Sequence, residues 1–446
     1  MRATATAMVR RLRGAGFEAF WAGGCVRDAL LGREPSDYDI ATEATPDQVE
    51  VVFPRTIPVG KQFGVILVLE GGHQFQVATF RAESDYKDGR RPEQVRFSHA
   101  REDALRRDFT VNGLFYDPVA EQIHDWVGGE RDLRARLIRT IGSPEERFGE
   151  DHLRLLRAVR FAAQLGFDIE ETTFQAVRAH AEKIRLVSAE RVRDELIKLF
   201  APPHAARGLT LLHDSGLMAH VLPELVPTVT CDQSPDYHPE GTVFNHIRLM
   251  LEHLPTPAAG GTVHESLPWT AILHDIAKPR TASRGEDGLI HFYTHEKVGA
   301  DMAEEILVRL RFPRKQTDEI AEAVRHHMQF KDAPKMRKST LRRMLMRPTF
   351  PLELELHRLD CLGSHRRLDI YDFLVEQRAH LDDQPHLIPP LLTGEDLKAL
   401  GVKPGPDMGA LLHELRELQL ADELKTAEEA RAWLKVRLGE GGKVGG

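Results

Sequence analysis

A chain of 446 residues is too long for one compact core, and roughly two to four domains are expected. Its net charge of −8 excludes a globally basic nucleic-acid binder, so any contact with RNA has to be regional. No apolar run approaches the roughly 18 residues of a membrane span, and Cys25, Cys231 and Cys361 are too scattered for a disulfide framework or a zinc knuckle, so the expected setting is a reducing cytoplasm.

Residues 1–16 intersperse arginine with small residues and contain no apolar stretch of the kind a secretory signal needs. Next come Gly23-Gly24-Cys25-Val26-Arg27-Asp28. A Gly-Gly turn lets backbone N–H groups approach a phosphate because no Cβ blocks the way, and Arg27 adds a cationic fork. Ser36-Asp37-Tyr38-Asp39-Ile40 reads as a strand. Side chains alternate along a strand, so Asp37 and Asp39 project to one side as a hard oxygen site suited to Mg²⁺ on a triphosphate.

Val65–Leu69 and Phe75–Phe80 are apolar or β-branched runs separated by Gly71-Gly72, which predicts a hairpin. The polar stretch between Arg81 and Phe97 has no apolar period and reads as a mobile loop. Helical periodicity starts near Glu150 and runs to Phe200, where Ala201-Pro202-Pro203 ends it. It resumes from about residue 240 to 380 in the segment that holds most of the histidines. Lys335–Arg347 carries six basic residues and no acid, and is either an RNA-binding patch or a solvated helix face. His386–Pro390 breaks the chain before a helical tail, in which Pro404-Gly405-Pro406 separates two patterns and Gly439–Gly446 reads as a frayed end.

Further pieces follow in a fixed order: Arg106-Arg107-Asp108-Phe109-Thr110-Val111-Asn112, Asp125-Trp126-Val127-Gly128-Gly129, Glu150-Asp151-x-x-Arg154, and Arg191 with Glu195. With Gly23-Gly24 and Asp37-x-Asp39, this set over residues 15–225 resembles the class II bacterial tRNA nucleotidyltransferase and poly(A) polymerase family. The resemblance implies that Asp37 and Asp39 are catalytic and hold Mg²⁺ while an RNA 3′-hydroxyl attacks the α-phosphate. Gly24, Arg27 and Arg107 would contact the triphosphate, although a surface arginine capping the nearby loop is another reading of Arg107. Relatives often carry an acid two residues before the alanine of Ala78-Thr79-Phe80-Arg81, where this chain has Gln76.

Asp151 and Arg154, three residues apart, neighbour each other on one face of a helix. A carboxylate accepting from an exocyclic amine beside a guanidinium donating to the ring imitates a Watson–Crick edge, selecting C and A over U and G. A plain ion pair between the two is the alternative. Arg157 and Arg160 continue the spacing, and the resemblance places both in the nucleotide site. On an ideal helix, however, each step of three drifts by about 60°, which turns Arg160 nearly opposite Asp151.

His246, His274-Asp275, His295, His326-His327 and Asp360 form an ordered set that resembles the HD phosphohydrolase family, including its two-metal members. Such imidazoles and carboxylates suit a divalent transition metal or Mg²⁺. The spacing leaves open which of His326 and His327 ligates, and a helical scaffold without activity is the other reading. The expected architecture is α+β: a nucleotidyltransferase head with a mixed sheet (1–140), a helical neck and body (141–235), an all-helical HD domain (236–385) and a helical tail contacting tRNA (386–446). The implied function is addition of CCA to tRNA 3′ ends from CTP and ATP, with phosphohydrolase activity in the HD domain. CC or A addition and poly(A) synthesis are the near alternatives. A metal-dependent phosphohydrolase whose head only binds RNA or nucleotide is the distant one.

Overall fold

Ala19-Phe20-Trp21-Ala22 is apolar on both sides and forms β1 (Ala19–Ala22), which is buried along its whole length inside a mixed sheet. The computed structural model describes residues 1–86, 92–235, 237–256, 263–286, 288–382 and 389–440. They form two compact units, residues 1–227 with 309–312 and residues 228–308 with 313–446.

In the first unit, β1 is joined by β2 (Ile40–Thr42), β3 (Thr56–Ile57), β4 (Val65–Glu70) and β5 (His73–Thr79). β6 (Arg81–Tyr86) and β7 (Pro92–Phe97) form a separate pair, and β8 (Phe115–Asp117) and β9 (Gln122–His124) complete the sheet. The sheet order is β3-β4-β5-β2-β1-β8-β9; β2 and β5 pair in parallel and the other neighbours are antiparallel. One face packs helices Arg2–Gly14 and Pro46–Val52 through Met8, Leu12, Val49 and Phe53. The other face is a smaller apolar layer of Phe20, Ala41, Phe80, Ala104 and Phe115.

The hairpin expected at Gly71-Gly72 is present, with Glu70 opposite His73 and both glycines at positive φ. The polar stretch after Arg81 departs from the expected loop: its flanks pair as β6 and β7, with Arg81 opposite Phe97 and Tyr86 opposite Pro92. Backbone pairing between two such segments needs no apolar alternation, so periodicity did not reveal it. The tip of that expected loop, residues 87–91, lies outside the described residues.

Helices Leu153–Leu165, Glu171–Ala179, Ala189–Leu199 and Ala205–Asp214 make the neck of the first unit. In the second unit, helices Val243–Glu252, Leu267–Leu273, Arg314–His326 and Phe350–Gly363 pack around Trp269, Leu273 and Leu356. The tail helices Gly394–Ala399, Pro406–Leu420 and Ala427–Glu440 enclose their own core of Leu397, Met408, Leu415 and Leu434. Thr393 opens the first of them with a reciprocal capping box to Asp396. Four of the six basic residues in the run from Lys335 have acidic partners in the same unit. Lys338 and Arg342 pair with Asp422, Arg343 with Glu417, and Arg347 with Glu353. The Lys338 and Arg343 side chains stay more than half exposed, as on a solvated helix face, and the pairing lowers the charge left for RNA. Among the described residues, no helix is long and apolar enough to cross a membrane.

Candidate active site and metal centre

The end of β1 brings the two N-terminal motifs together. Ala22 N–H donates to the Asp39 carbonyl at 3.0 Å, extending the β1–β2 pairing one residue beyond Ile40, and Gly23 N–H donates to the Leu114 carbonyl at 2.9 Å. Asp37 and Asp39 therefore precede strand β2 rather than lying within it. The expected alternation still holds. Tyr38 is buried against Trp21, with ring centroids 4.9 Å apart, and its two neighbours turn to the other side, Asp37 exposed and Asp39 half-buried. Burial first, and the Asp37 carboxylate second, push Asp39 up to about 6 against the pull of the Arg107 guanidinium. Two mutually repelling carboxylates fit a divalent cation that removes the repulsion. Continuing the parallel β2–β5 register places Gln76, which is exposed, beside Asp39.

Gly23 has φ +76°, and a Cβ on it would lie 2.6 Å from Arg107 Nη1. The glycine is thus required both by its left-handed backbone and by the arginine laid across it. Arg107 is held there by Asp103, which accepts from its Nε and Nη2 at 3.3 and 3.2 Å, and by the Phe115 ring 4.8 Å away. Asp103 also accepts from Arg106 and from the Arg81 backbone N–H. Burial pushes Asp103 up, but Arg107 and Arg106 outweigh it and hold the carboxyl below the usual range. Arg27 is almost buried, donating to Asp28 Oδ1 at 2.8 Å and to Asn112 Oδ1 at 2.6 Å. Gly24 leaves 3.7 Å between a would-be Cβ and Arg27 Nη2.

The expected single helix carrying Asp151 and Arg154 is broken. Helix Pro144–Glu150 stops, Asp151 is extended at φ −144° and ψ 105°, and the next helix starts at Leu153. Asp151 Oδ1 accepts the Leu153 N–H at 3.1 Å, a cap that ordinary helical periodicity does not reveal. Asp151 and Arg154 therefore do not pair with each other. Asp151 Oδ2 meets Arg191 Nη2 at 2.7 Å, while Arg154 pairs with Glu150 and donates to the Arg106 carbonyl at 3.3 Å.

Arg157 and Arg160 are committed to internal partners. Arg157 makes a forked contact to Asp108 Oδ2 at 2.8 and 2.6 Å, and Asp108 also accepts from Asn112 Nδ2 at 3.1 Å. Burial opposes ionisation of Asp108, yet Arg157 and Asn112 hold its pKa down to about 2. Arg160 is buried, with Nε 2.5 Å from Glu195 Oε2 and Nη1 2.7 Å from Gln164 Oε1. The structure does not bring Arg160 to the nucleotide side, in line with its angular drift around the helix. Asp125, from the linker motif, accepts the N–H groups of Val127, Gly128, Gly129 and Glu130, fixing the entry to helix Gly129–Ala135.

In the second unit, His246, His274, Asp275, His295, His327 and Asp360 converge. His274, His295 and His327 each donate Nδ1–H to the carbonyl three residues earlier, Ala271, Phe292 and Val324, at 2.9, 2.6 and 2.6 Å. Each therefore turns Nε2 inward. Nε2 of His274 lies 3.1 Å from Asp275 Oδ2, and Nε2 of His295 and His327 lie 3.4 and 3.8 Å from Asp275 Oδ1. His246 Nε2 lies 3.1 Å from Asp360 Oδ1. Burial and the neighbouring His274 push His327 down to about 3, whereas His246, against the pull of burial, is raised to about 9 by Asp360 and Glu240, so a bound cation would have to displace its proton. This buried set of imidazole nitrogens and carboxylate oxygens fits divalent metal, with Asp275 shared between two ligand groups. His326 stays outside it, half-buried beside Glu322 and Glu353.

Motif spacing missed Asp103, whose signal was its position three and four residues before two arginines. It also missed Glu240 and His238, which precede the helix of His246 and carry no periodic signal.

Three family models match the chain: Poly A polymerase head domain over residues 19–139, Probable RNA and SrmB- binding site of polymerase A over 166–228, and HD domain over 241–363. A CCA-adding enzyme of Geobacillus thermodenitrificans is 45% identical over 218 residues, 49% of this chain and 54% of that protein. The chain thus spans about half the length of the curated relatives it matches. Among solved structures, a Bacillus stearothermophilus CCA-adding enzyme in complex with CTP superposes with a TM-score of 0.76 at 27% identity, covering 99% of this chain and 98% of that one. A Thermotoga maritima CCA-adding enzyme complexed with tRNA shares the fold at TM-score 0.57 and 20% identity, covering 97% and 94%.

Proposed function

We propose that a chain combining a poly A polymerase head, an RNA-binding neck and an HD domain adds C, C and A to the 3′ end of tRNA from CTP and ATP. The observation that carries this reading is the Asp37–Asp39 pair, set at the end of β1 beside the Gly23 turn and the Arg107 fork. Mg²⁺ held by Asp37 and Asp39 would supply charge neutralisation at the triphosphate and activation of the attacking hydroxyl. Arg107 is laid over Gly23, where it donates to phosphate oxygens, and Arg27 backs it from below through Asn112. Asp151, presented by a helix break and oriented by Arg191, accepts from the exocyclic amine of C or A. Arg154, oriented by Glu150, donates to the adjoining ring edge. The inward-facing imidazoles of the second unit support metal-dependent phosphohydrolase chemistry there, with a divalent transition metal bound. A cytoplasmic setting suits both activities.

Incubating the protein with tRNA lacking its terminal C, C and A, Mg²⁺ and each labelled triphosphate tests the reading. Stepwise gain of two C and one A is expected. A long A tail, or phosphate release without incorporation, would transfer the assignment to poly(A) synthesis or to hydrolysis alone.

Two variants sharpen it. Asp151→Ala is expected to reduce the preference for CTP and ATP over UTP and GTP, in kcat/KM, by roughly 10–100-fold, the size of one good base contact. An unchanged preference would leave Asp151 as a helix cap only. Gly23→Ala forces a Cβ to within 2.6 Å of Arg107 Nη1 and strains a left-handed φ. It is expected to lower kcat/KM for all four triphosphates by about the same factor, roughly 10-fold or more, with stability falling about 1–2 kcal/mol. Loss confined to one nucleotide would remove Arg107 from the phosphate role.

A further inference from the structure

The four imidazoles of the HD cluster are not anchored alike. His274, His295 and His327 each rest on a backbone carbonyl three residues back. His246, inside helix Val243–Glu252, is placed differently. Its Nδ1 instead lies 2.7 Å from Glu240 Oε1. The same oxygen accepts from His238 Nδ1 at 2.8 Å. The Glu240 side chain is only 5% exposed, so no bulk water competes for it. An ionised carboxylate can only accept, so His238 presents N–H at Nδ1, and the His246 ring is held between two carboxylates, Glu240 at Nδ1 and Asp360 3.1 Å from Nε2.

We infer that Glu240, itself anchored by His238, is a positioning residue that fixes the His246 ring so that Nε2 serves as a metal ligand. It does for His246 what a backbone carbonyl does for the other three. The inference rests on the reading of this cluster as a metal site. An outer partner of this kind sets both ring orientation and ligand basicity, and its loss costs about 10–100-fold in metal affinity.

The test is Co²⁺ titration of the full chain, followed by calorimetry and by proton NMR of the Co²⁺-loaded protein, in which ligand N–H protons appear as shifted, solvent-exchangeable signals. Glu240→Ala is expected to weaken binding about 10–100-fold at unchanged stoichiometry and to lose one exchangeable signal to fast exchange. Glu240→Gln keeps the volume and offers a carbonyl acceptor, and so is expected to recover part of the affinity even where the alanine variant folds poorly. Nucleotide addition by the head should be unchanged in both. Equal affinity and an unaltered set of signals in the Glu240 variants would overturn the inference. So would loss of one bound ion per chain, which would make Glu240 a ligand. Failure of the unsubstituted protein to bind Co²⁺ would overturn the metal reading itself, and this inference with it.

Discussion

Asp39→Asn is expected to abolish nucleotide addition while leaving the protein folded and more stable at neutral pH. The rate should fall at least ~10³-fold, about 4 kcal/mol of barrier, because the amide neither binds nor charge-balances the cation. The stability gain follows from the local electrostatics. In the folded chain, burial and Asp37 raise Asp39 to about 6, above its unfolded value. The native state then holds the proton more tightly than the unfolded state, so stability declines as pH rises from about 4 to 6 and stays lowered above that. The asparagine variant carries no such proton and escapes the decline. Thermal melts of both proteins in chelator between pH 4 and 7 should therefore diverge with rising pH. Adding Mg²⁺ should restore the unsubstituted protein and leave the variant unmoved. Parallel melts, or near-normal incorporation by the folded variant, would remove the carboxylate pair from the catalytic role.

Glu195→Ala is expected to cost about 3–5 kcal/mol of stability, the usual penalty for stripping one partner from a buried ion pair. Arg160 is buried with Nε 2.5 Å from Glu195, and Arg157 Nη1 lies 3.7 Å away, so two guanidiniums lose their shared counter-charge. Replacing Glu195 and Arg160 together by leucine should recover much of that loss, since neither charge then needs a partner. Urea unfolding of the single and double variants reads both effects. A loss under about 1 kcal/mol for Glu195→Ala would mean that water reaches Arg160.

What the sequence revealed and what it hid divide along a physical line. Asp37 and Asp39 were legible because a period of two survives on an extended segment even where pairing has not yet begun. The β4–β5 hairpin was legible because its glycines and apolar runs are local signals. The break at Asp151 was not, since the periodicity that starts near Glu150 carries no mark of the side-chain hydrogen bond that divides the two helices. The pair β6–β7 lacked apolar alternation and showed only as paired backbone. Charge partners were the least legible of all. Lys338 and Arg342 look like a cationic face until Asp422, some eighty positions later, folds onto them. Of the adjacent pair His326 and His327, only the second points inward, a rotation of about 100° around the helix that composition cannot express.

The chain of contacts from Arg27 through Asn112, Asp108 and Arg157 to Glu195 and Arg160 has a mechanical consequence. It ties the turn after β1 to two neck helices by buried polar links, each of which would be exposed by sliding one layer over the other. Hinge-like rotation between sheet and neck is thus opposed at its pivot. On the proposed reading, a site that takes C twice and then A has to change shape with its walls held still, by re-aiming side chains such as Asp151 at the break between two helices.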